Sequence, residues 1–190
     1  MTTLFRYASP LALGLLTLAA CDDDDDGPVD PGAGEEEVIT TVRVSLTAPD
    51  GSTAELTFVD PDGDGGTAPA ITGDTLAANT EYDVTLTFLN ETETPAEDIT
   101  EEIAEEGEEH QIFFLASAGL ALTVTATDRD GDGRPVGLEA EAVAAGASSG
   151  TLRVVLRHEP DKDAEGVAGG DIANAGGETD VEVDFPVVIR

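Results

Sequence analysis

The sequence predicts an all-β fold, an antiparallel β-sandwich of eight or nine strands with one short acidic helix. Two observations carry that expectation. Apolar residues recur at every second position in run after run: Val42, Val44 and Leu46; Tyr82, Val84, Leu86 and Phe88; Leu152, Val154 and Leu156. This period puts one row of side chains on a buried sheet face and leaves the intervening polar row to water. The runs are also separated by Asp- and Gly-rich clusters, the residue types that turns require.

The chain begins with a different kind of segment. Arg6 precedes the apolar stretch Leu11 to Ala20, which ends in Leu18-Ala19-Ala20-Cys21 and is followed at once by Asp22 to Asp26. A positive start, a short apolar core and small residues before the lone cysteine have the layout of a secretion signal, and a ten-residue core falls short of the roughly 20 residues a spanning helix needs. The segment resembles a bacterial lipobox. That resemblance implies removal of residues 1–20, a diacylglycerol on the Cys21 sulfur, and a mature chain with no free thiol. At roughly 0.8 kcal/mol per buried methylene, two or three acyl chains hold essentially permanently.

Residues 21–37 follow as the lipidated cysteine and an acidic tether, with two prolines and a majority of Asp, Glu and Gly that cannot bury a core. The sixteen residues after Cys21, 22–37, reach at most about 50 Å. The acid run behind Cys21 resembles the export signal that sends some lipoproteins to the outer face of the outer membrane; a self-repelling spacer is the plainer reading, and a periplasm-facing anchor the alternative location.

From Val38 to Arg190 about 150 residues remain, enough for one domain with its own core. Beyond the runs already named, Leu56 and Phe58, Ile112 and Phe114, Leu120 to Val124, and Val181 to Val187 alternate in the same way. The stretch Leu76 to Val84 resembles the tyrosine corner of fibronectin type III and related Ig-like Greek-key domains, in which a tyrosine near a strand start bonds back to the upstream backbone; a plain core aromatic is the other reading of Tyr82. The one helical pattern falls on residues 94–107. Thr94 and Glu97 spell a capping box, Pro95 suits a first turn, Ile99 and Ile103 share a face, and Gly107 can end the helix. Residues 159–178 form a long Gly-, Ala- and Asp-rich connection that Ile172 is placed to pin to the body; loops of this length are usually functional or mobile.

Two turns share the spelling D-x-D-x-D-G. Asp60, Asp62 and Asp64 carry it first, and Asp128, Asp130 and Asp132 again. The second continues with the carbonyl of Arg134 and with Glu139 at position twelve, the spacing of a calcium loop, here at a hairpin tip between strands read over 123–127 and 136–143. The first has Ile71 at position twelve. Calcium stiffening of the second turn is therefore the cofactor expectation, set against plain Asp/Gly hairpin chemistry. His110 and His158 are the only histidines. His110 follows four glutamates within five residues and His158 precedes Glu159, so neighbouring strands would bring them together as a transition-metal site with a carboxylate. Hydrogen-bonded strand-end histidines are the other outcome.

The formal net charge is −33, with 41 acidic residues against eight basic ones. Such a field repels nucleic acid. One lysine beside abundant Asp, Glu, Ala and Gly suits a saline medium, where about 1 M salt shortens the Debye length to roughly 3 Å; a reservoir for divalent cations is the competing reading. No nucleophile elbow, zinc-protease motif or phosphate loop is present, so no enzymatic activity and no catalytic residue are expected.

The mature chain is similar to small bacterial lipoproteins often labelled "type 1 periplasmic binding fold superfamily protein". The likeness lies in Glu36 to Val42, Leu76 to Thr80, Pro95 to Glu102, Glu109-His110-Gln111 and Asn174 to Asp180. The label implies an α/β ligand-binding fold, whereas the periodicity of this chain predicts the sandwich. The resemblance also implies a surface lipoprotein working beside an outer-membrane receptor. The expected function is a lipid-anchored binding or interaction module of the outer membrane. The alternative is capture of a metal or solute for a TonB-dependent transporter.

Overall fold

The computed structural model describes residues 37–63 and 66–190, within a compact unit that spans Glu36–Arg190. Cys21, the signal, residues 21–36 of the tether, and Asp64 lie outside the described residues. Eleven strands are described: β1 (Thr41–Thr47), β2 (Thr53–Val59), β3 (Ala70–Thr72), β4 (Thr75–Leu76), β5 (Thr80–Asn90), β6 (Glu97–Asp98), β7 (His110–Ala116), β8 (Leu122–Ala126), β9 (Glu139–Ala144), β10 (Ser148–His158) and β11 (Glu178–Ile189). Eight of them have five or more residues, and the other three are short edge pieces.

They form two sheets. The larger runs β3-β2-β1-β5-β9-β8, with β6 also on β5, and the smaller runs β4-β11-β10-β7. Pairing is antiparallel except between β11 and β4. The α/β architecture implied by the family label is therefore not what this domain adopts; among the described residues helix is confined to one short α-helix and two single turns.

The period-two rows do what alternation dictates. Val42, Val44, Leu46, Val84, Leu86 and Phe88 from the large sheet meet Leu152, Val154, Leu156, Val183, Phe185 and Val187 from the small one in a single buried cluster. Tyr82 stands at the corner where the chain crosses between sheets. Its hydroxyl accepts the backbone N–H of Ala77 at 2.7 Å while the ring is buried. Tyr82→Phe keeps the ring and leaves that N–H without its acceptor, so a loss of about 1–1.5 kcal/mol is expected in urea unfolding.

The helix differs from its sequence reading. Glu97 and Asp98 pair with β5 and stay extended, so the helix α1 covers only Ile99–Glu105. Asp98, not Thr94, is the cap, and its carboxylate accepts the Thr100 N–H at 3.1 Å. Glu106 ends the helix by donating its N–H to the Glu102 carbonyl. Ile99 and Ile103 are buried in the main core, as their spacing predicts. Thr100 then bonds the backbone of Phe88 through both its donor and its acceptor, which seals β5 just beyond its ladder with β9.

A second, smaller core lies on the outer face of the small sheet. Phe113 of β7 and Val155 of β10 point away from the sandwich and pack with Val167 and Ala175 of the 159–178 connection. Leu115 and Ile172 close against them. The long loop is thus a roof made of two single helical turns, Val167–Gly169 and Ile172–Asn174, and Ile172 does pin it.

Candidate metal centre

The candidate site grows from the strand register. β7 and β10 are neighbours, and His110 faces His158 directly across them. The two imidazoles stack with centroids 4.8 Å apart and planes 12° from parallel. Both residues are buried, at 0 % and 6 % exposure. The Nδ1 of His110 is hydrogen-bonded to the Glu106 carbonyl at 3.2 Å, while its Nε2 has no hydrogen-bond partner among the described residues.

Carboxylates gather around the stack. Glu37 arrives just ahead of β1, Glu106 from the end of α1, and His110 from the start of β7; their ligand atoms lie within 4.8 Å of one another. Asp180 comes from a β-bulge. β11 pairs Val181 with Leu156 and Thr179 with Arg157, so Asp180 is the extra residue between them. Bulges re-aim side chains in this way. Its carboxylate is fully buried and 4.0 Å from the His110 Nε2. A cavity of about 420 Å³ lined by Glu37, Ile39, Phe58, Asp60 and Asp180 opens beside this group. Glu109, His158 and Glu159 form a second set within the same spacing.

The electrostatics follow from this crowding. Burial, then the neighbouring charges of Glu102, Asp180 and Glu106, push the Glu37 carboxyl up to about 7. Burial holds the His110 imidazole below its ordinary value, against the Glu106 carbonyl bond that favours the charged ring. His110 is therefore neutral at pH 7, the form that ligates a metal.

A tetrahedral ion with ligands at about 2.1 Å has them roughly 3.4 Å apart. The Glu37–Glu106–His110 group would have to draw in by about an ångström, which glutamate rotamers allow. Two carboxylates and an imidazole suit zinc or a similar borderline divalent cation.

The two Asp turns are arranged differently. The Asp128 carboxylate accepts the N–H groups of Gly137 at 2.7 Å and Leu138 at 2.9 Å. One oxygen of Asp130 accepts the N–H groups of Asp132 and Arg134, and the other meets the Lys162 ammonium at 2.9 Å. The Arg134 carbonyl, expected to face a cation, accepts the Asp130 N–H at 2.8 Å. The Arg134 guanidinium pairs with Asp132 and, by two nitrogens, with Asp163. β9 starts only at Glu139 and not at Val136, and its inward row is Ala140, Ala142 and Ala144. Glu139 is consequently exposed on the outer face. Among the described residues, no three of these carboxylates converge as the two histidine groups do. In the first turn, Asp62 accepts the Thr67 N–H at 3.2 Å.

Lys162, the chain's only lysine, meets one of the carboxylates expected to face a cation, that of Asp130. It is buried, and besides Asp130 its ammonium donates to the carbonyls of Gly107 and of Pro135, the latter at 3.1 Å. Burial pushes the Asp130 carboxyl upward, but the bond and charge of Lys162 with the two backbone N–H groups outweigh it and hold the carboxyl below the usual range. Sequence reasoning had Glu106 among the glutamates ahead of His110 but passed over Glu37, Asp180 and Lys162. A lone lysine between two aspartates, in a connection otherwise rich in glycine and alanine, was the available signal for the last.

No protein-family model matches the chain, and no curated protein matches it. Among solved structures, the chain is similar to domains 4 and 5 of the S-layer protein SbsC, at 14% identity over 83% of this chain and 74% of that one, with a TM-score of 0.27. A likeness at that score carries no argument about this chain. Among the described residues no helix is long and apolar enough to cross a membrane.

Proposed function

We propose that this chain is a non-enzymatic, lipid-anchored module of the outer membrane that captures a divalent transition metal, with zinc as the reference ion. One observation carries the metal reading: His110 is fully buried, its Nε2 has no hydrogen-bond partner among the described residues, and it stands in a group with Glu37 and Glu106. A buried polar nitrogen left in that state costs free energy that a bound ion would return. The anchor rests on Cys21 and its flanking residues. An outer-membrane receptor, of the TonB-dependent kind, is the partner that would receive the metal. The Asp128–Asp132 turn is stiffened, in this reading, by the Lys162 ammonium in place of calcium.

Titrating the full chain in detergent micelles with zinc chloride tests the proposal. Tight binding is expected in the wild type, with at least a tenfold loss in His110→Ala and in Glu106→Gln. Equal affinities in all three proteins would refute it.

A further inference from the structure

We infer that Glu109, His158 and Glu159 form a second transition-metal site, stacked against the first, so that the chain holds two ions and not one. The inference rests on the metal-capturing reading of the Glu37–Glu106–His110 group and extends it. His158 is 6 % exposed, its Nε2 has no hydrogen-bond partner among the described residues, and that atom lies 3.7 Å from the nearer Glu109 oxygen. The ligand atoms of Glu109, His158 and Glu159 lie within 4.8 Å of one another. A buried nitrogen 3.7 Å from one carboxylate, in a group with a second, separates this set from the many exposed acidic clusters of the chain.

The backbone holds the arrangement in place. Glu159 adopts a φ of +49°, uncommon for a residue with a side chain, and donates its N–H to the Glu109 carbonyl at 2.6 Å. Gly177 lies against this turn so closely that a β-carbon there would come 2.2 Å from the His158 carbonyl oxygen.

Ring geometry favours two ions over one. Imidazole lone pairs lie in the ring plane, and planes 12° from parallel do not aim them at a common point between the faces. Each ring has its own pair of carboxylates, which makes each loaded site nearly neutral and limits repulsion between the ions. The two differ in exposure: Glu109 and Glu159 are open to solvent, whereas Glu37 and Glu106 are half-buried. The outer site would exchange its ion faster than the inner one.

Zinc titration of the full chain in micelles, at a salt concentration that screens the acid-rich surface, tests this alongside nitrogen NMR of the two histidine rings. Two equivalents are expected, each shifting one ring. His158→Ala should bind one, and Glu159→Gln should weaken the second equivalent at least tenfold while sparing the first. One equivalent that shifts only the His110 ring would overturn the second site and leave the first standing. One equivalent that shifts both rings would replace two sites by a shared one, and also overturns the inference. Two equivalents unaffected by Glu159→Gln would do the same. No zinc-dependent shift of either ring would remove the metal reading itself.

Discussion

Replacing Lys162 by methionine is expected to lower the stability of the sandwich by about 3 kcal/mol at pH 7, because it leaves a buried carboxylate without its counter-charge. The side chains involved are 4% and 1% exposed, so water cannot substitute. The carbonyls of Gly107 and Pro135 lose a donor in the same step. Adding Asp130→Asn should restore part of the loss, as expected when the penalty is an orphaned charge. The sign of the pH dependence follows from the depressed Asp130 carboxyl. Its contribution is fully present above the ordinary carboxylate value of about 3.9 and is lost as pH falls through the lower folded value. The gap between wild type and Lys162→Met should therefore be widest at neutral pH and narrow towards pH 3. Urea midpoints across that range measure it. A constant gap would mean that packing of the lysine stem, and not its charge, dominates.

Phe113→Ala should cost about 3–4 kcal/mol, the usual range for deleting a buried phenyl group. Phe113 is fully buried although it faces away from the sandwich, because the 159–178 connection covers it. Removing the ring takes away the floor on which Val167, Ala175 and Ile172 rest. The loop is consequently expected to become susceptible to limited proteolysis while the sandwich stays cooperative. Phe185→Ala, in the main core, should lower the unfolding midpoint without that selective nicking. Equal loop cleavage in both variants would contradict the roof description.

The strands were legible because alternation is a local property. Val42 to Leu46 and Tyr82 to Phe88 sort themselves onto two faces without reference to the rest of the chain. The second core was harder to see. Ile112 to Leu115 and Val154 with Val155 are apolar on both faces, a pattern that signals cover on each side, but it does not say which segment provides the cover. The histidine pair was readable as a condition on strand adjacency, and the β7–β10 register meets that condition. Its carboxylates were less accessible. Glu37 ends a charge run that reads as tether, and Asp180 sits in a bulge where period two breaks. The D-x-D-x-D-G turns have two readings for a physical reason: aspartates spaced to gather around a cation are equally good at accepting backbone N–H groups in a tight turn. At Asp128 and Asp130 the backbone takes that role.

The roof on the small sheet leaves the large sheet as the broad pleated face open to water. Apart from Arg43 and Val143, its outward rows are mostly hydroxyls and acids: Thr85 stands beside Glu139, Thr125 beside Glu141, and Asp83 directly opposite Glu141. Like charges so placed push the strands apart in dilute solution and are quieted by dissolved ions. Two copies meeting through this side encounter matched negative charge and tightly held hydration, so crowding presses them into spacing and not into clumps.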